Sequence, residues 1–273
     1  MPELPEITII ASQMDKEIAG KSIADVEVNQ PKNLNMPVSD FTKTVQGKSV
    51  KRVSSKGKWI FAKLNPDHFL LINLGMGAEL LNFTPKKKLP EKYHFKLTFD
   101  DKTGFTIHFQ WFGYVHLVPE KELNKHKLTA TLGISPLDKK FNREHFEKIL
   151  GKKKLRIKSF LLNQKNIAGV GNVYAQDILF EAKIHPNRKV STLSEKEIRG
   201  LYNAIHRVLI RSIRLGGLAY EKNFYGQNGK LTTDEFLVGY KEGKPCPACG
   251  TTIEKIKTGS TSSYICPKCQ PLK

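Results

Sequence analysis

Residues 59–83 read WIFAKLNPDHFLLINLGMGAELLNF. Three apolar blocks of strand length, Trp59–Leu64, Phe69–Leu74 and Glu79–Phe83, follow one another here, and the turn cluster Asn65-Pro66-Asp67 separates the first two. Such runs, bounded by turn residues and lacking a helical period, predict β-strands. The same texture extends outward. Ile23–Val28 lies upstream, and His94–Phe99, Phe105–Phe109 and Tyr114–Val118 lie downstream, with Asp100-Asp101-Lys102-Thr103-Gly104 as a further turn. Seven strands with no helix between them predict an antiparallel sandwich or barrel over roughly the first half of the chain.

Both flanks of this region are helical. Ile7, Ile10, Met14 and Ile18 recur at three- and four-residue steps after Pro5, and Gly20 stops the run, so one leading helix is expected. From Asn142 onward the helical period returns. Phe146, Ile149 and Leu150 share a face closed by Gly151, and Ile157, Phe160 and Leu161 form a second set. These lead into the turn-rich Asn166-Ile-Ala-Gly-Val-Gly-Asn172 and a helix from Val173 to about Ala182. Ser194 and Glu197 have capping-box spacing, Leu193 and Ile198 suit a hydrophobic staple, and Leu201, Ile205, Val208, Leu209 and Ile213 continue the stripe. The fold class is therefore α+β and multi-domain. Residues 1–120 form a sandwich domain, 121–141 a polar linker with an Ile134-Ser135-Pro136 break, 142–240 a helical domain, and 241–273 a cysteine-bearing tail.

The chain has 273 residues and a formal charge of +19, with a sequence pI near 9.7. With 39% hydrophobic residues it has apolar surface enough to fold, which excludes a disordered chain. No apolar run reaches the length of a membrane span, and MPELPEITII lacks the basic start of a signal peptide. A cytoplasmic, nucleoid-associated location is expected. So large a positive charge points to a polyanionic partner, nucleic acid before an anionic membrane.

Two local patterns carry chemistry. Cys246-Pro-Ala-Cys249 and Cys266-Pro-Lys-Cys269 contain every cysteine of the chain. Two such pairs place four thiolates around one Zn²⁺ in a closed, structural site. The loop between them, with Lys255, Lys257, Thr258, Ser260, Thr261, Ser262 and Ser263, suits phosphate contact. At the other end, Met1 precedes the small residue Pro2, so Met1 is expected to be removed. The exposed secondary amine, with an ordinary pKa near 8, is a nucleophile able to form an iminium. Glu3 and Glu6 stand beside it to shuttle protons. Taken singly, a Met-Pro start is commonplace, and acids before a helix merely suit its dipole.

Taken in order, the segments are more specific. MPELPE, Gly57-Lys58-Trp59, Asn73-Leu-Gly-Met76-Gly, Trp111-Phe112-Gly113, Thr131-Leu-Gly-Ile-Ser-Pro-Leu137, Ile157-Lys-Ser-Phe-Leu, Gly169-Val-Gly-Asn172-Val-Tyr-Ala, Ile184-His-Pro186 and the four-cysteine ribbon span nearly the whole chain. The set resembles the formamidopyrimidine-DNA glycosylase family, which includes the related endonuclease VIII. The resemblance implies an N-terminal β-sandwich, a helix–two-turns–helix domain and a zinc finger. It also implies a monomeric enzyme of base excision repair that acts on damaged DNA, excises oxidised bases and cuts the strand by β,δ-elimination. By resemblance, Pro2 is the nucleophile, Glu3 the acid/base carboxylate, Lys58 the lysine near leaving group and phosphate, and Asn172 the phosphate-binding asparagine. Met76 and Phe112 match the residues that fill the void left by a flipped nucleotide, a step any base-modifying enzyme needs because the stacked base is unreachable.

Three departures fall on DNA contacts. Asn73 stands where the family usually has His; it donates to phosphate but carries no charge. Trp111 replaces the Arg that reads the base opposite the lesion; an indole stacks on an orphaned base but makes no bidentate hydrogen bond to it. Thr261 or a neighbour replaces the ribbon's phosphate-gripping Arg, a loss of about 1.5–3 kcal/mol. Ser135 and Ser159 also replace a usual acid and a frequent Pro. The covalent residues thus remain while the reading and gripping residues differ. An active glycosylase/lyase with altered lesion and opposite-base specificity is expected; the alternative is a weakly catalytic or non-catalytic damaged-DNA binder of the same fold. A zinc-ribbon transcription factor and an N-terminal-proline isomerase explain fewer of these features.

Overall fold

The computed structural model describes residues 1–87, 89–151 and 153–272. The chain divides into two compact units, one of residues 1–131 with 216–230, the other of 132–215 with 231–273. Residues 216–230, placed with the helical domain on the sequence pattern, thus cluster with the N-terminal unit.

The first unit opens with α1 (Leu4–Ile18), whose Ile7, Ile10, Met14 and Ile18 are all buried. Its strands are β1 (Ile23–Val28), β2 (Ser49–Lys56), β3 (Trp59–Asn65), β4 (His68–Asn73), β5 (Glu79–Phe83), β6 (Phe95–Phe99), β7 (Gly104–His108) and β8 (Tyr114–Pro119). They form two antiparallel four-stranded sheets, ordered β1-β6-β7-β5 and β2-β3-β4-β8. Both contribute to one core, with Ile60, Ile72, Val115 and Leu117 from one sheet and Phe95, Phe99, Phe105 and Ile107 from the other. The seven expected strands are present within a residue or two of their bounds. An eighth, β2, was not legible: SVKRVSSK is polar and basic, and only Val50 and Val53 turn inward. The expectation of no intervening helix also fails. A short helix, α2 (Val38–Val45), lies between β1 and β2 and buries Phe41 and Val45. Residues 216–230 close the unit, with the Phe224 ring fully buried in its core.

The second unit holds α3 (Arg143–Leu150), α4 (Ile157–Leu162), α5 (Asn172–Glu181), α6 (Glu195–Arg214) and the hairpin β9 (Glu254–Thr258)–β10 (Thr261–Ile265). The Asn142 side chain caps α3, accepting from His145 N at 2.8 Å. The Ser194–Glu197 capping box opens α6 as its spacing predicts. Gly171, not Asn172, is the N-cap of α5; Asn172 is its first helical residue. No helix among the described residues is long and apolar enough to cross a membrane.

Candidate active site

The start of α1 gathers several ionisable groups. Met1 is exposed, whereas Pro2, Glu3 and Glu6 are buried. Pro5 sits in the first helical turn, where its missing N–H breaks no bond. A capping box joins Glu3 and Glu6, in which Glu3 N donates to Glu6 Oε2 at 2.9 Å. Glu6 Oε1 accepts from Leu218 N at 3.1 Å, a contact that needs glycine next door. Gly217 has φ +85°, and a Cβ there would stand 3.1 Å from that same oxygen.

Lys58 lies in the tight β2–β3 turn after Gly57, itself at φ 59°. Its ammonium is 4.0 Å from Glu3 Oε1, with the side chain 14% exposed. Glu221 approaches from the 216–230 segment, its Oε1 3.7 Å from the Met1 amine. Burial pushes the Glu221 carboxyl pKa up, and the charge of Glu3 adds to that, while the amine opposes it. Pro2, Glu3 and Lys58 are therefore brought together. Glu221, more than two hundred residues along the chain, gave no sequence signal.

Two loops carry the expected void-filling side chains. Gly75 (φ +59°) packs so tightly on Phe112 that a Cβ would lie 1.8 Å from the Phe112 carbonyl oxygen. The 74–77 and 110–113 loops thus abut. On them Met76, Trp111 and Phe112 remain exposed, Trp111 to 69%. Large apolar side chains held out on adjoining loops are unusual for a core-forming role and suit insertion or stacking. Asn73 differs from expectation. It is buried, its amide donates to the Lys58 carbonyl at 2.9 Å, and its Oδ1 accepts from Gly75 N at 3.1 Å. The side chain expected to meet a phosphate instead ties the Lys58 turn to the Met76 loop.

In the second unit, Gln176 Nε2 donates to both the carbonyl and Oδ1 of Asn172 and to the Ser262 carbonyl at 3.0, 3.2 and 3.2 Å. Gln176 Oε1 accepts from Tyr264 N. Lys158, 3% exposed, donates to Thr258 Oγ1, Ser262 O and Ser263 Oγ at 3.0, 2.6 and 2.8 Å. Burial lowers its pKa to about 8. Lys158 thus fastens α4 to the hairpin, and Gln176 fastens the start of α5 to it and so brings Asn172 beside the 258–263 turn. Thr261 Oγ1 donates to the Thr258 carbonyl within that turn, so its hydroxyl closes the hairpin. Neither Gln176 nor Lys158 was singled out from sequence. A lysine among the apolar positions of Ile157-Lys-Ser-Phe-Leu was the available cue. Ser135 is buried and Ser159 exposed. Two runs of three lysines, at 86–88 and 152–154, add positive charge; Lys86, Lys87, Lys153 and Lys154 are exposed, and Lys88 and Lys152 lie outside the described residues.

Cys246, Cys249, Cys266 and Cys269 converge with all four sulfurs within 4.8 Å of one another. Three of the sulfur pairs are 3.4–3.9 Å apart, against roughly 3.8 Å for a tetrahedron of 2.3 Å Zn–S bonds. Burial raises the Cys266 thiol and pushes Cys269 up to about 12, while the Thr251 hydroxyl helps lower Cys249 to about 6. Crowded thiols of this kind ionise together only with a dication among them. The donor set fits one structural Zn²⁺ without an open position.

The sequence matches three family models in order along the chain: the formamidopyrimidine-DNA glycosylase N-terminal domain over residues 1–115, the formamidopyrimidine-DNA glycosylase H2TH domain over 132–223, and the zinc finger found in FPG and IleRS over 243–272. The architecture is thus that of the DNA glycosylases built from a β-sandwich, a helix–two-turns–helix domain and a four-cysteine finger. Formamidopyrimidine-DNA glycosylases of Pelotomaculum thermopropionicum and Streptococcus mutans are 37% and 34% identical, over 100% and 99% of both chains. Among solved structures, Lactococcus lactis Fpg in complex with abasic-site DNA superposes with a TM-score of 0.89 at 28% identity, covering 99% of this chain and 100% of that one. The same enzyme with Fapy-dG-containing DNA matches equally. The chain belongs to the formamidopyrimidine-DNA glycosylase family.

Proposed function

We propose that the protein is a bifunctional DNA glycosylase and abasic-site lyase of base excision repair, acting through a Pro2 Schiff base. The observation that carries this is the meeting of the N-terminal segment with Glu3 and Lys58, the ammonium 4.0 Å from the buried carboxylate. After removal of Met1, the Pro2 nitrogen attacks C1′ of a flipped nucleotide. The N–C1′ bond forms as the C1′–base bond breaks, and the base leaves with that electron pair. Ring opening gives an iminium. Loss of the C2′ proton then expels the 3′ phosphate, and a second elimination expels the 5′ phosphate. Glu3 moves protons at the sugar, and Lys58 steadies the leaving group and phosphate.

Damaged DNA, the ligand in the Lactococcus structures, is the substrate class. Met76 and Phe112 fill the void and Trp111 stacks on the base left opposite, while Asn172 and the 258–263 turn hold phosphates. In functional terms residues 1–120 supply the chemistry, 121–141 the link, 142–240 the DNA-binding helices and 241–273 the finger. With Trp111 in place of a base-reading Arg, discrimination of the opposite base is relaxed. Borohydride trapping on an abasic-site duplex tests the covalent step: the wild type should be captured, Pro2→Gly and a form retaining Met1 should not. A Pro2→Gly variant trapped as well as the wild type ends the reading.

A further inference from the structure

Three carboxylates approach the chain terminus, and they are differently engaged. Glu6 has an oxygen on each of two backbone amides, Glu3 N and Leu218 N, so it joins α1 to the 216–230 segment. Glu3 caps α1 and faces Lys58. Glu221 faces the terminal amine itself at 3.7 Å, with its side chain 10% exposed. The segment that carries it is firmly seated. Phe224 N donates to Gln13 Oε1 at 2.9 Å, Asn82 N donates to the Phe224 carbonyl at 2.9 Å, and Lys222 pairs with Glu79 at 2.6 Å. The Glu221 backbone N–H donates to Leu218 O at 3.1 Å, fixing a turn that aims the carboxylate at the terminus.

A terminal secondary amine with an ordinary pKa near 8 is mostly protonated at neutral pH and in that form cannot attack carbon. Its proton needs a nearby acceptor. Successive backbone nitrogens are about 3 Å apart, so removal of Met1 leaves the Pro2 nitrogen close to where the Met1 amine stands. We propose that Glu221 accepts the proton of the Pro2 nitrogen in the processed chain and so readies it for attack on C1′. This rests on the Pro2 reading above. The carboxylate becomes a carboxylic acid, and the freed nitrogen lone pair forms the N–C1′ bond as the base departs with the electrons of its own bond. The charged groups around Glu221 among the described residues are Glu3, the cap of α1, Glu6 in its first turn, Lys58 beyond Glu3, and Lys222, whose charge is occupied by Glu79 on β5. Burial and the Glu3 charge raise the Glu221 pKa toward that of the amine, which reduces the uphill step of the transfer.

The test uses full-length wild type, E221Q and E221D, each carried to the Pro2 terminus by aminopeptidase treatment and verified by intact mass. Single-turnover borohydride trapping on an abasic-site duplex is followed from pH 5.5 to 9, with thermal melts in parallel. E221Q should trap about 10²-fold more slowly at pH 6–7. The deficit should shrink above about pH 8, where the nitrogen loses its proton to solvent. E221D should recover part of the rate on the acid side. A purely structural role predicts a deficit equal at pH 6 and pH 9, and that result overturns the proposal. So does an E221Q rate matching wild type at pH 6–7, or an E221D no faster than E221Q. A wild type that traps at no pH removes the Pro2 reading itself and this proposal with it; the E221Q results above remove this proposal alone.

Discussion

Replacing Lys158 with methionine should change how the stability of the helical unit depends on pH. The lysine is 3% exposed and surrounded by Thr258, Ser262 and Ser263, and burial lowers its pKa from 10.5 to about 8. A folded pKa below the unfolded one means that the unfolded chain binds this proton more tightly. Above pH 10.5 neither state holds it and no penalty exists. As pH falls from 10.5 to 8 the native state loses about 1.4 kcal/mol per unit, reaching about 3 kcal/mol, and the loss is constant below pH 8. Methionine has a similar length and no charge, so K158M removes this titration. It also leaves no acceptor orphaned. Thr258 Oγ1 and Ser263 Oγ already pair at 2.8 Å, and the Ser262 carbonyl still accepts from Gln176. At pH 7.5 the lost hydrogen bonds and the relieved charge therefore oppose one another, and the net change should stay within about 2 kcal/mol. Urea denaturation followed by far-UV circular dichroism, zinc-loaded and at constant ionic strength, gives both curves. Wild type should gain about 3 kcal/mol on K158M between pH 7.5 and 10.5. A difference that stays flat across that range refutes the argument, because it means the ammonium is as well solvated as in the unfolded chain.

Chelation should release one zinc per chain and unfold the hairpin, since four crowded thiols hold no fold without the dication; the signal of a metal-release colour assay should rise as DNA affinity falls, and affinity unchanged in the stripped protein counts against the closed site. Trp111→Ala should weaken binding of an abasic-site duplex about 5- to 150-fold, the equivalent of about 1–3 kcal/mol of base stacking, with unfolding free energy unchanged because the indole is 69% exposed. Fluorescence anisotropy reads it. Trp111→Arg should in turn restore dependence on the opposite base; equal excision opposite all four bases by that variant speaks against Trp111 as the cause.

The chain reads clearly wherever a signal is local. The strand blocks from Trp59 to Val118, the Ser194–Glu197 box and the paired cysteines each depend on residues a few positions apart, so periodicity, capping and ligand spacing expose them directly. β2 escaped because a polar strand on β3 gains its partners from the neighbouring backbone, not from its own side chains. The helix expected from Val173 begins one residue earlier, at Asn172, because Gly171 adopts the extended conformation that the cap requires.

What the sequence by itself determined is the class of the protein: a sandwich, a helical unit, a zinc ribbon, and an N-terminal Pro-Glu pair with Lys58. What only the tertiary structure decided is which groups meet. Asn73 turns inward to hold the Lys58 carbonyl, Lys158 and Gln176 fasten the hairpin to α4 and α5, and Glu221 reaches the terminus from more than two hundred residues along the chain. The physical reason is the same in each case. A buried polar group must find a partner, and the partner is chosen by packing between elements remote in sequence, which no pattern along the chain encodes.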